Sequence, residues 1–135
     1  MDGIEEIQFA QHTDERGSLV ALDRDSGLPF DPLRVYYLFD CPPEAERARH
    51  AVSADMVLVA LRGSARLDAD NGRQRTEFTL DRPDRGLFVQ RGVWVRLSQF
   101  APGTVVLVAS AEKFANVTYF STPQPAAGED EARAA

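Results

Sequence analysis

Short runs in which apolar and polar residues alternate, separated by turns rich in glycine and proline, account for most of this chain. Residues 4–10 set Ile4, Ile7 and Phe9 against Glu5, Glu6 and Gln8 with one slip, as a bulged or edge strand would. Runs at 18–22, 33–39, 65–68, 76–80, 87–89, 93–100, 104–110 and 117–120 follow, broken by turn residues such as Gly27 and Pro29, Pro42 and Pro43, Gly92, and Pro102 with Gly103. Asp70-Asn71-Gly72 is the strongest hairpin signal, because Asn-Gly accepts the positive φ of a tight reversal. Residues 56–61, MVLVAL, are apolar at every position, which predicts a central strand covered on both faces. About ten to eleven short strands without an amphipathic helix make the fold class all-β, a sandwich or barrel.

The same alternation selects candidate chemistry. Side chains two apart in a strand share a face, so Arg34, Tyr36 and Leu38 lie together, and His50, Val52 and Ala54 share a face of the next strand. Both faces are expected to look into one cavity, since small β-barrels hold ligands at the mouth.

Composition narrows the partners. The 135 residues, 44% hydrophobic and 27% charged, suit one soluble domain over residues 1–122, and the residues from 123 on, poor in large apolar side chains, are expected to form a disordered tail. A net charge of −6 argues against nucleic acid as a partner, while a few local arginines can still hold a small anion. Cys41 is alone, so no intrachain disulfide forms. No apolar run approaches the roughly 18 residues of a membrane span, and the first ten residues lack the pattern of a secretory signal. The expected location is the cytoplasm, with no membrane partner.

Several strings carry a resemblance: DERGSL at 14–19, Pro29-Phe30, RVYYLFD at 34–40, R-x-x-H-A at 47–51, Gly63-Ser64, D-x-P-x-x-G-L at 81–87 and Gly92-Val93-Trp94. In order and nearly in spacing, they resemble the sugar 3,4-ketoisomerases, cupins that act on thymidine-diphosphate-linked 4-keto-6-deoxyglucose. The resemblance spans about residues 7–112. It implies a jelly-roll cupin, a homodimer, and a ketone moved from C4 to C3 through an enediol with no cofactor. It places the base on His50 and the proton shuttle on Tyr36, with Arg16 and Arg47 orienting the sugar diphosphate. A neutral imidazole suits proton abstraction, a phenol passes protons between neighbouring oxygens, and guanidinium groups bind phosphate in pairs of bonds. Arg34 and Trp94 are further candidates for substrate contact.

Departures from the family pattern leave activity open. Val52 and Val95 stand where it has histidines, Ala48 where it has glycine and Met56 where it has a polar residue, and the stretch between His50 and Gly63 is one residue short. Such a slip would send His50 to the opposite face. With only His12 and His50 in the chain, a three-histidine metal site within one chain is excluded. Two other readings stand beside the ketoisomerase. One is a diverged cupin cyclase or isomerase for an apolar natural product, its pocket lined by Val52, Met56, Phe88 and Val95. The other is a non-catalytic homologue serving in binding or assembly.

Overall fold

The computed structural model describes residues 1–125. Its strands are β1 (Ile4–Gln8), β2 (Gln11–Asp14), β3 (Gly17–Val20), β4 (Arg34–Leu38), β5 (Arg47–Val52), β6 (Met56–Arg62), β7 (Ala65–Asp70), β8 (Arg75–Leu80), β9 (Arg85–Val89), β10 (Trp94–Ser98), β11 (Val105–Ser110) and β12 (Tyr119–Phe120). A single 3-10 turn at Phe114–Asn116 is the one helical element among the described residues. Two five-stranded sheets, ordered β1-β9-β6-β11-β4 and β12-β5-β10-β7-β8, face each other as a jelly-roll barrel. This is the all-β cupin architecture that the resemblance implies.

Alternation decides which side chains fill the barrel. Ala65, Leu67 and Ala69 of β7 and Val95 and Leu97 of β10 point inward, where they join Leu58, Leu87, Val89, Val106 and Val108 in one buried cluster. Their neighbours Arg66, Asp68, Trp94 and Arg96 therefore face outward. β6 is apolar throughout because it is central and covered twice: Met56, Leu58 and Ala60 face the interior, while Val57 and Val59 pack beneath Phe9, Leu28 and Phe30. Each valine buried under that second layer contributes on the order of 1.5–3 kcal/mol.

Glycine matters most at two places. Gly63 turns the chain between β6 and β7 at φ +75°, where a Cβ would overlap Thr104. Thr104 Oγ1 accepts the Ser64 N–H at 3.1 Å and lies 2.7 Å from the Ala101 carbonyl oxygen, so this turn is tied to the loop before β11. Gly86 lies where Phe9 and Val57 close over β9, and a Cβ there would meet Phe9 at 2.7 Å and Val57 at 2.8 Å.

Three features differ from the alternation reading. Residues 11–14 form a strand that the polar sequence QHTD does not announce. They pair with β3 in a hairpin whose residues are almost all exposed, so no buried face imposes a pattern. The Asn71-Gly72 reversal is a four-residue loop, with Asn71 Oδ1 accepting the backbone N–H groups of Arg73 and Gln74 at 2.9 and 2.8 Å. The expected disordered tail falls mostly on residues 126–135, outside the described residues; ahead of them, the Gln124 N–H donates to the Gly92 carbonyl at 2.7 Å.

Candidate active site

Arg34, Tyr36 and Leu38 project from β4 into a cavity of about 150 Å³, and Arg47, Ala48 and His50 line it from β5 in the facing sheet. Met56, Leu58, Val95, Leu97 and Val108 form an aliphatic floor and Tyr119 of β12 closes the remaining side. The volume equals that of about five waters, enough for one sugar ring. Tyr36 and His50 thus meet in one chamber from opposite sheets.

The register at His50 comes from a local kink. Ala48 and Arg49 both take positive φ, +67° and +62°, and the β5–β10 pairing shifts between Val95 and Arg96. Two successive left-handed residues make a bulge that re-aims the strand. Beyond it His50 pairs with Val95, whose side chain is interior, so His50 faces the cavity despite the shortened stretch that follows.

Burial sets the electrostatics. Loss of solvent pushes the His50 imidazole below its ordinary 6.5, favouring the neutral base. Its Nδ1 is buried without a partner among the described residues, and the ring meets Tyr119 edge-on at 4.9 Å between centroids. Burial raises Tyr36 above its ordinary 10.0, partly offset by the positive charges of Arg34 and Arg47, so the phenol stays protonated. Its hydroxyl points to Met56 Sδ at 4.0 Å, a weak acceptor from which a stronger one can take it.

The arginines divide into two groups. Arg34 lies over the Tyr36 ring at 4.3 Å and the Phe114 ring at 4.8 Å, and neither it nor Arg47 has a carboxylate partner among the described residues. Both keep their hydrogen-bonding capacity for an anion at the cavity mouth. Arg16, in contrast, sits at the tip of the β2–β3 hairpin, bound to Asp14 at 2.6 Å and outside the cavity. Trp94 also lies outside, on the outer face of β10 in a groove with Arg66, Arg75 and Pro123. The alternation that buries Val95 and Leu97 turns Trp94 away, a signal present in the sequence.

Of the aliphatic lining expected from sequence, Met56 and Val95 are in place, while Val52 is buried in the interior cluster and Phe88 packs against the outer cluster. The run at 117–120 was legible as a strand but Tyr119 was not singled out, because a two-residue strand paired to β5 is too short for alternation to tell which side chain faces the cavity. Among the described residues no group of three histidine, cysteine or acidic side chains is placed to hold a metal.

Comparison with known proteins identifies the family. The family model described as "FdtA: WxcM-like, C-terminal" matches residues 2–125. A TDP-4-oxo-6-deoxy-α-D-glucose-3,4-oxoisomerase of Aneurinibacillus thermoaerophilus is 39% identical over 114 residues, 84% of this chain and 82% of that protein. The structure superposes on a TDP-quinovose 3,4-ketoisomerase of Campylobacter jejuni with a TM-score of 0.85 at 29% identity, covering 90% of this chain and 95% of the other. It also superposes on a variant 3,4-ketoisomerase of Thermoanaerobacterium thermosaccharolyticum solved with TDP-4-keto-6-deoxyglucose, with a TM-score of 0.81 at 25% identity over 87% and 88% of the two chains. The shared barrel, the extent of the match and the sequence identity together place this chain in the FdtA family of sugar 3,4-ketoisomerases.

Proposed function

We propose that this chain isomerises TDP-4-keto-6-deoxyglucose to the 3-keto sugar, with His50 as base and Tyr36 as proton shuttle. The observation that carries the reading is the His50 imidazole and the Tyr36 phenol lining one sugar-sized cavity from opposite sheets, where burial favours the neutral form of each, beside two guanidinium groups without a carboxylate partner among the described residues. His50 takes the proton on C3, and the electrons of that C–H bond form the C3–C4 double bond. The C4 oxygen gains the phenol proton of Tyr36, which recovers one from the C3 hydroxyl. As the C3 carbonyl forms, C4 is protonated and the cycle closes with no net change in the protein. This redistribution of protons within the substrate calls on no redox cofactor.

Arg34 and Arg47 hold the diphosphate at the mouth, since an anion there meets uncompensated positive charge. The floor of Leu58, Leu97 and Val108 suits a 6-deoxy sugar, which presents a methyl group on C5 and apolar C–H faces. An aliphatic lining therefore does not require an apolar natural product.

The reading includes a homodimer. Val35, Tyr37 and Phe39, on the outward face of the same β4 segment that supplies Tyr36, are 56, 61 and 59% exposed. A contiguous apolar patch on an edge strand fits a second copy.

The direct test follows TDP-4-keto-6-deoxyglucose by proton NMR with the wild-type chain and with His50→Ala and Tyr36→Phe. Turnover by the wild type that falls about 10²–10⁴-fold in His50→Ala supports the assignment. Absence of wild-type turnover, or full activity in His50→Ala, refutes it.

A further inference from the structure

Arg34 is held in a different way from most of the paired arginines. Asp68, Asp70 and Asp84 hold Arg66, Arg75, Arg82 and Arg96 in ion pairs of 2.9 to 3.2 Å. Arg34 has no carboxylate partner among the described residues, and its guanidinium lies over two rings instead, Tyr36 at 4.3 Å and Phe114 at 4.8 Å. The difference matters for an anion site. A carboxylate fixes a guanidinium but cancels its charge and takes up its donors, whereas a ring face attracts the cation and leaves the N–H groups for a ligand.

Phe114 belongs to neither wall of the chamber. It sits on the 3-10 turn Phe114–Asn116, is 63% exposed, and the turn buries no residue. The backbone on either side is anchored without it. Before the turn the buried Ser110 hydroxyl accepts the Glu112 N–H at 3.2 Å and donates to the Glu112 carbonyl at 3.1 Å. After it the Thr118 N–H donates to Ser53 Oγ at 2.8 Å, and Val117 packs against the interior cluster. The ring itself meets the chamber mouth: Arg34 of β4, and Tyr119 of β12 at 6.5 Å between centroids.

We propose that Phe114 is a positioning residue for substrate binding, whose ring fixes the Arg34 guanidinium at the chamber mouth in the place where it meets the diphosphate. The inference rests on the ketoisomerase reading for the identity of that anion, and it concerns binding rather than proton transfer. An arginine without partners spreads over many rotamers, and ordering it when the ligand arrives costs affinity. A ring contact formed beforehand removes part of that cost. Tyr36 supplies the other ring, so loss of Phe114 weakens the hold without abolishing it.

The experiment compares the wild-type chain with Phe114→Leu, which keeps an apolar side chain but no ring, and with Phe114→Tyr, which restores the ring. Each is measured in steady-state turnover of TDP-4-keto-6-deoxyglucose and in calorimetric titration with TDP. Phe114→Leu is expected to raise KM and the Kd for TDP about three- to tenfold with kcat within about twofold of wild type, and Phe114→Tyr to restore both. In an Arg34→Gln background, Phe114→Leu should change the Kd no further, because the two side chains act as one unit. Wild-type affinity in Phe114→Leu overturns the proposal, as does a fall in kcat at constant KM. So does an equal loss in the Arg34→Gln background, which would mean that the ring touches the ligand directly, or a failure of Phe114→Tyr to restore binding. A wild-type chain that binds TDP but does not turn over removes the ketoisomerase reading and leaves the titrations to decide the role of Phe114; one that does not bind TDP removes both.

Discussion

His50 and Tyr36 are moved apart in proton affinity by the same cause, loss of water, acting on groups of opposite charge type. The consequence is a measurable pH profile. A base must be unprotonated to work, and His50 lies below 6.5, so the acid limb of kcat/KM is expected below the range of an ordinary histidine. Stability follows the same sign. The unfolded chain binds a proton near 6.5 that the folded chain does not yet accept, so the contribution of His50 is intact above 6.5 and is lost as pH falls through the lower folded value. Urea denaturation of the wild type and His50→Ala between pH 7 and about 5 should show a smaller pH dependence in the variant. Tyr36→Phe is expected to lower kcat with little change in KM, because the hydroxyl acts on the enediol rather than in binding the diphosphate. The strings around His50 and Tyr36 made both residues legible in sequence. Tyr119 was not, since it reaches the cavity only through a pairing some 70 positions away in the chain, with residues 51 and 52.

At the scale of elements, β5 is the most informative strand. Alternation alone cannot place His50, because the left-handed pair Ala48 and Arg49 resets the phase ahead of it. The resemblance marks this spot by a glycine that the present chain replaces with alanine. A left-handed conformation costs a residue with a Cβ about 1–2 kcal/mol, so Ala48→Gly is expected to stabilise the fold by about 1 kcal/mol. Chemical denaturation checks the gain, and retained kcat would show that the bulge itself is unchanged. β7, β10 and the doubly covered β6 were readable from their patterns because each has a buried face to enforce one. The exposed β2–β3 hairpin has none, and its first strand was not legible. A second element-level test lies before β9. Arg82 donates to both carboxylate oxygens of Asp84 at 2.9 and 3.0 Å, holding that carboxyl down to about 2 from 3.8. Its stabilisation should be complete above pH 3.8 and lost as pH falls toward 2; Asp84→Asn should remove that part of the acid transition.

For the whole molecule, the two faces of β4 point to different tasks. Tyr36 and Arg34 turn into the chamber while Val35 and Tyr37 turn to the surface proposed to receive a second copy. Light scattering should find a dimer, and Tyr37→Glu combined with Val35→Glu should yield monomers, since paired charges at the centre of an apolar contact cost more than the contact returns. The acidic balance of −6 sets the same scene from a distance: the long-range field repels a nucleotide sugar, and Arg34 and Arg47, without a carboxylate partner among the described residues, oppose it locally. Because β4 is an edge strand, its lateral hydrogen-bonding positions on one side find no neighbour within its own sheet. A strand held from one side only can shift its backbone more easily than a central one, and every shift of β4 moves the phenol relative to the imidazole. Specific activity should therefore depend on protein concentration, falling on dilution below the dissociation constant of the assembly and recovering on reconcentration.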